Sequence, residues 1–270
     1  MPKITLIDDP SDPRISVFRA VRERDVAGRQ GGFIAEGEVV LRALARSWLH
    51  GAASILIARK RVEGLAEILA QFPDDVPIYA AEQGVMDAIA GFAIHRGILA
   101  FGRRAPEASA ASLVEGLGGS GVVLALFGIS NHDNIGGIFR NAAAFGARAV
   151  LLDGACCDPL YRKAIRVSVG AALEVPFGWL EAGEDPIELL ARSGFEALAL
   201  SPAGETRLSD LVAPARAAVL LGAEGAGLSS EILTRARTVR LPMAGAFDSL
   251  NVATTSGIVL HHLMATPAAS

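Results

Sequence analysis

Val122–Val123–Leu124–Ala125–Leu126–Phe127 is a continuous apolar run, and Asn131–His132–Asp133–Asn134–Ile135–Gly136–Gly137–Ile138–Phe139–Arg140–Asn141 comes directly after it. An apolar run without alternation reads as a strand buried on both faces. Polar residues at the carboxyl end of such a strand, opening a helix, stand where open α/β sheets bind ligands. In this stretch Asn134 is a candidate helix cap, Gly136 and Gly137 permit close approach of another backbone, and Arg140 offers a five-donor fork suited to phosphate. A capped helix with a surface arginine explains the same residues.

Working outward, the pattern of strand and helix repeats. Strands are expected at 149–152, 196–200, 217–221 and 239–241, and helices at 135–145, 162–172, 186–193, 230–236 and 250–264. A parallel sheet with helices on both faces accommodates this order. Toward the amino terminus, helix signals at 16–25, 38–49, 62–71 and 82–90 alternate with strand signals at 32–35, 54–58, 76–80 and 97–101, which makes a smaller α/β unit. Arg104 to Ser112, with a proline, small residues and no periodicity, is the linker candidate. The expected domains are residues 1–106 and 113–270.

The chain has 270 residues, 51% of them hydrophobic, with a formal charge of −4. It is long enough for a real core and is not a globally basic nucleic-acid binder, although a local basic surface is compatible with that charge. Candidates for such a surface are Arg19, Arg22, Arg24 and Arg29, and then Arg148, Arg162, Lys163 and Arg166; each also reads as a solvated helix face. The two cysteines, Cys156 and Cys157, are neighbours, which leaves no disulfide framework and no zinc spacing. The opening residues are too polar for a secretory signal, and no apolar run reaches membrane-spanning length. A cytoplasmic protein without a metal or a membrane segment is expected.

Two further stretches stand at strand ends. Leu220–Leu221–Gly222–Ala223–Glu224–Gly225–Ala226–Gly227–Leu228–Ser229 precedes a helix starting at Ser229 or Ser230. Its glycines expose backbone groups, but their order reverses the G-x-G-x-x-G dinucleotide fingerprint, which argues against a Rossmann oxidoreductase. Glu224 could pair with Arg140 or read a polar ligand; a Gly-rich turn with a solvated Glu is the plain alternative. Leu241–Pro242–Met243–Ala244–Gly245–Ala246–Phe247–Asp248–Ser249–Leu250–Asn251–Val252 ends a strand and opens the final helix, with Ser249 or Asp248 as cap. Met243 and Phe247 are more often core than ligand contacts, and Asn251 also reads as a cap.

Taken in order, these three stretches resemble the motifs of the SpoU/TrmH family of RNA 2′-O-ribose methyltransferases, over about residues 120–265. Gly32–Phe33–Ile34–Ala35–Glu36–Gly37 and His95–Arg96–Gly97–Ile98–Leu99–Ala100 resemble the small RNA substrate-binding domain often fused upstream. The resemblance implies a small N-terminal α/β domain followed by a parallel-sheet methyltransferase domain with a C-terminal trefoil knot. It implies S-adenosyl-L-methionine as cofactor, bound by Gly222, Leu241 and Leu250, with Leu221, Pro242 and Met243 lining the same pocket. It implies a catalytic set of Arg140, Asn134, Glu224, Ser249 and Asn251, no metal, and a homodimer with the site near the subunit interface.

RNA contacts would come from Arg22, Arg29, Arg162, Lys163 and Arg166. An arginine is a poor base because its guanidinium stays protonated, so Arg140 reads as a phosphate clamp, base action being the family's stronger claim. Ribosomal RNA is favoured over transfer RNA by analogy with the upstream domain. The alternative is a non-catalytic RNA-binding protein that retains the fold. Thr254, Thr255 and Ser256 make the last helix more polar than the family pattern, and His132 and Asp133 stand where smaller residues are common.

Overall fold

The computed structural model describes residues 3–19, 31–91, 94, 96–244 and 249–265. The chain divides into two compact units. One holds residues 1–106 together with 160–174, and the other holds 107–159 and 175–270.

In the first unit the strands are β1 (Ile4–Ile7), β2 (Gly32–Glu36), β3 (Gly51–Ala58), β4 (Ile78–Ala81) and β5 (Ile98–Arg103), in the order β1-β4-β3-β5-β2. β3 and β1 run parallel to β4, while β5 runs antiparallel to both β3 and β2. The helices are α1 (Glu38–Arg46), α2 (Ala66–Leu69) and α3 (Gln83–Ala90). One face of the sheet packs Ile34, Leu56, Tyr79 and Leu99 on Met86 and Ile89 of α3 and on Ile15 and Phe18.

Of the amino-terminal helix expected at 16–25, residues 16–18 belong to a 3-10 turn, Pro13–Phe18, capped by the Asp12 carboxylate, and residues 20–25 lie outside the described set. The helix expected at 62–71 is broken into 3-10 turns before α2, and β1 carried no strand signal strong enough to be read.

The second unit is built on one sheet of eight strands. These are β6 (Ala108–Ser109), β7 (Gly121–Leu126), β8 (Ala149–Leu152), β9 (Phe177–Trp179), β10 (Glu196–Leu200), β11 (Thr206–Arg207), β12 (Arg216–Leu221) and β13 (Arg237–Arg240). Their order is β11-β13-β10-β12-β7-β8-β9-β6, and every pairing is parallel. The helices are α4 (Ala110–Gly116), α5 (His132–Ala144), α6 (Arg162–Val167, which packs with the first unit), α7 (Pro186–Arg192), α8 (Ser230–Arg235) and α9 (Val252–Ala265).

Val123 and Ala125 of β7 pack with Val114, Leu189 and Leu190 of α4 and α7 on one face. Val122, Leu124 and Leu126 are equally buried, as a strand covered on both sides requires.

The stretch read as a linker is ordered. Ala108 and Ser109 pair with Gly178 and Trp179, and the Ser109 hydroxyl caps α4 by accepting from the Ser112 amide at 3.1 Å. Its alanines are good helix formers, and lack of hydrophobic contrast hid the helix. The helix expected at 162–172 stops at Val167, because Val169 and Gly170 take positive φ (58° and 89°). An added Cβ at Gly170 would lie 2.5 Å from that of Ala43.

Helices α5 and α9 run side by side in the same direction. Contacts fall in register: Gly137 on Ala253, Asn141 on Gly257, and the Phe145 ring edge-on to His261 at 5.8 Å between centroids. Of the polar run in the last helix, Ser256 finds its reason here. Ser256 is fully buried, its hydroxyl donating to the Ala253 carbonyl at 2.7 Å and accepting from Asn141 Nδ2 at 3.0 Å. A Cβ on Gly137 would sit 2.7 Å from the Ala253 Cβ. Gly137→Val should therefore force the two helices apart and lower stability by about 1–3 kcal/mol, read as a drop in the urea midpoint; an unchanged midpoint would show a looser seam.

Candidate active site

The site begins with the turn between β7 and α5. Asp153, just past β8, accepts the Gly128 amide on both carboxylate oxygens at 3.0 Å, and the Ala155 amide at 3.1 Å. The Cys156 thiol accepts from the Ile129 amide and donates to the Leu126 carbonyl, both at 3.3 Å, and the Cys157 amide donates to the Ile129 carbonyl at 2.9 Å. Burial pushes the Cys156 thiol up to about 12, with the Asp153 charge adding to the shift, so it stays a neutral hydrogen-bonding group. Asp153 drew no notice in the sequence, because a carboxylate that holds a turn has no motif of its own, and Cys156 was weighed there only as a disulfide or zinc residue.

This turn sets the start of α5 at His132. The cap is Asn131, whose side chain accepts from the Asp133 amide at 2.8 Å. Asn134, expected to cap, lies inside the first turn and is buried. Its amide is thereby free for tertiary contacts. Asn134 Nδ2 donates to Glu224 Oε1 at 2.5 Å, and Asn134 Oδ1 accepts from Asn251 Nδ2 at 2.8 Å. Asn251 in turn caps α9, its Oδ1 accepting from the Ala253 and Thr254 amides at 2.9 and 3.2 Å. The cap of the last helix is thus Asn251; Asp248 lies outside the described residues. Glu224, which could have paired with Arg140, is instead hydrogen-bonded to Asn134.

Beside this chain of amides is a cavity of about 430 Å³ at the carboxyl ends of β10, β12 and β13. Leu221, Gly222, Leu241, Met243 and Leu250 line it, with Glu224, Ser249 and Asn251. Pro242 lies between two lining residues without being one. Leu200–Ser201–Pro202, Val239 and Thr255 complete the wall and were not singled out in the sequence. The rule that ligands gather outside the carboxyl ends of parallel strands would have pointed to Leu200–Pro202.

The glycine loop approaches itself closely: Gly227 donates to the Ala223 carbonyl at 2.9 Å, and a Cβ on Gly222 would lie 2.2 Å from the Gly227 carbonyl carbon. Only glycine fits there. The Ser229 hydroxyl then caps α8, accepting from the Ile232 amide at 3.3 Å.

Arg140 is not brought to the cavity by its own chain: it is exposed, well along α5, and absent from the lining. The basic residues named in the sequence divide. Arg22, Arg24 and Arg29 lie outside the described residues. Arg162 pairs with the buried Glu36 at 3.2 Å, within the first unit. Arg148 donates to the Gly118 and Ser120 carbonyls and so holds a turn. Lys163 and Arg166 are exposed.

Residues 121–261 match the model of the SpoU rRNA methylase family. The chain belongs to that family. A Mycobacterium tuberculosis protein named "uncharacterized tRNA/rRNA methyltransferase" is 39% identical over 269 residues, covering 94% of this chain and 89% of the relative. A 23S rRNA (guanosine-2′-O-)-methyltransferase, RlmB, from Burkholderia is 32% identical over 187 residues, 68% of this chain and 75% of the relative.

Among solved structures, an AdoMet-bound rRNA methyltransferase from Sinorhizobium meliloti superposes with a TM-score of 0.79 at 22% identity, covering 96% of this chain and 97% of the other. The SpoU methyltransferase AviRb from Streptomyces viridochromogenes gives 0.78 at 22% identity, over 94% and 98%. The likeness spans both units. The fold is therefore that of the SpoU methyltransferases, a small α/β domain ahead of a parallel-sheet domain with the trefoil knot at its carboxyl end. Among the described residues no helix is long and apolar enough to cross a membrane.

Asn134→Ala leaves the Glu224 carboxylate and the Asn251 amide without their shared partner. It should cost about 1–3 kcal/mol in unfolding free energy, measured by urea denaturation, whereas Asn131→Ala, which removes only a cap, should cost about 1 kcal/mol. Equal losses would place Asn134 in an ordinary structural role.

Proposed function

We propose that this SpoU-family enzyme transfers a methyl group from S-adenosyl-L-methionine to a ribose 2′-hydroxyl in structured RNA, ribosomal RNA before transfer RNA. The observation that carries the proposal is the cavity at the ends of β10, β12 and β13 with the Glu224–Asn134–Asn251 chain at its side. The residues fit the donor. Leu221, Val239, Leu241 and Leu250 offer apolar walls for a flat base, and the strand-end backbone offers amides and carbonyls to its polar edges. The Gly222 cradle leaves no room for a side chain, so a ligand there would meet main chain. The relative that acts on a guanosine 2′-oxygen of 23S rRNA, and the AdoMet-bound rRNA methyltransferase of the same fold, support the donor, the oxygen and the RNA.

The donor supplies an activated methyl on a sulfonium. This chain's residues bind and orient. Asn134 fixes Glu224 on one side and the α9 cap on the other, so the loops of residues 222–228 and 249–251 keep one spacing. Ser249 and Asn251 stand at the cavity wall with polar atoms for a ribose. Arg140 serves as the phosphate clamp that steadies the nucleotide and eases loss of the hydroxyl proton.

Because Arg140 lies outside its own chain's cavity, a homodimer in which a second copy brings this residue to the ribose accounts for its role. Leu250, Ile258 and Met264 are exposed apolar residues at the start and along the length of α9, and they support such a pairing.

Arg140→Ala should lower methyl transfer from tritiated S-adenosylmethionine to bulk RNA by about two orders of magnitude or more, while S-adenosylhomocysteine affinity by calorimetry stays within a few fold. Loss of both together would assign Arg140 a structural part. S-adenosylhomocysteine at saturating concentration should raise Tm by several degrees where NAD does not; a shift with NAD alone would sink the donor assignment. Binding of RNA without any transfer would favour the non-catalytic alternative.

A further inference from the structure

The first unit carries an exposed aromatic residue that its own fold does not use. Trp48, in the turn between α1 and β3, is 75% exposed, the most exposed of the large hydrophobic side chains among the described residues. A lone surface tryptophan on a loose segment would mean little, but this turn is held at both ends. The Ser47 hydroxyl donates to the Leu173 carbonyl at 2.6 Å and accepts from the Leu49 and His50 amides at 3.3 and 3.0 Å. His50 is buried, its Nδ1 accepting from the Ala105 amide at 3.1 Å and its ring meeting Phe33 edge-on at 5.5 Å. The indole is therefore displayed on a backbone whose ordering is already complete, which lowers the cost of binding.

The surroundings indicate the partner. β5 ends beside the turn in Arg103, which is exposed and pairs in register with Gly51 on one side and Gly32 on the other. Glycine on both flanking strands puts no side chain directly opposite Arg103 in the register; a Cβ at Gly51 would meet nothing within 4 Å, while the Phe101 ring covers Gly32. The first unit carries seventeen Lys and Arg against fourteen Asp and Glu, while the second carries eight against fifteen, so the chain's negative charge belongs to the second. An exposed indole in the turn that leads into Gly51, with the exposed Arg103 in register with Gly51 on the basic unit of an acidic chain, matches an unpaired nucleotide: the base stacks and the phosphate takes the arginine.

We propose that Trp48 and Arg103 form a stacking contact for a single-stranded nucleotide of the RNA, a contact that resides in the first unit. The inference rests on RNA being the substrate. It predicts a preference for unpaired over paired RNA, since a base in a duplex has no free face.

The test uses the full chain and two labelled probes, a stem with an eight-nucleotide loop and the same stem as a closed duplex, with affinities read by fluorescence anisotropy over a salt series. The wild type should favour the loop. Trp48→Ala should weaken loop binding by roughly five- to hundredfold and duplex binding little, Trp48→Phe should restore most of the preference, and Arg103→Gln should weaken both probes and reduce the salt slope by about one. Trp48→Ala binding both probes as the wild type does would overturn the proposal. So would an equal loss on both probes, or a changed sedimentation coefficient with RNA affinity intact, which would make the indole a protein contact. If the wild type binds neither probe, the RNA substrate itself is wrong. S-adenosylhomocysteine binding, measured alongside, reports separately on the donor assignment.

Discussion

The buried amide of Asn134 joins three pieces of chain that lie far apart in the sequence. Glu224 belongs to the glycine loop after β12, Asn251 to the start of α9, and Asn134 to the first turn of α5. Asn134 is buried while Glu224 and Asn251 are exposed, so it is the Asn134 amide that would be left costly and unmet without these partners. The same amide therefore fixes the spacing of the two loops that form the cavity and penalises any arrangement that parts them. The seam between α5 and α9 continues this constraint. Gly137 on Ala253 and Asn141 on Ser256 and Gly257 let the helices approach closely, so the end of the chain is locked against the motif that precedes it by more than a hundred residues.

Support for Asn134 comes from behind. Asp153 and Cys156 grip the turn of residues 126–129 through four hydrogen bonds between them, and that turn sets where α5 begins. With the helix starting at His132, capping falls to Asn131 and the side chain three residues on points into the interior. A one-residue slip would rotate Asn134 by about a hundred degrees and lose both partners. The chemistry proposed for the cavity depends on this register more than on any single lining residue.

The two units divide the electrostatic labour. The second, with the cavity, is acidic, and the first carries the excess of basic residues together with the segment 160–174 that packs with it. Within that segment Arg162 is committed to Glu36, a carboxylate that burial would otherwise penalise.

Much was legible in the sequence. The apolar runs at 122–127 and 217–221 read as buried strands, and polar or glycine-rich stretches after them marked the ligand side of the sheet. Of the cavity residues that the family resemblance implied, Leu221, Gly222, Leu241, Met243 and Leu250 do line it, because a parallel strand delivers whatever follows its last residue to the same edge. Short elements escaped. Ala108–Ser109, Phe177–Trp179 and Thr206–Arg207 are too brief to show a period, and the alanines after Ser109 have no apolar contrast.

What the sequence by itself determined is thus the alternation of strands and helices, the class of the sheet and the three stretches that gather at its edge, since these follow from periodicity and chain direction. Only tertiary structure decided that Asn134 is a bridge and Asn131 the cap, that Leu200–Pro202 closes the wall, that Arg162 is spent on Glu36, and that Arg140 stands away from its own chain's cavity. Each of these is a relation between residues distant in sequence, and packing, unlike periodicity, leaves no mark on the local order of amino acids.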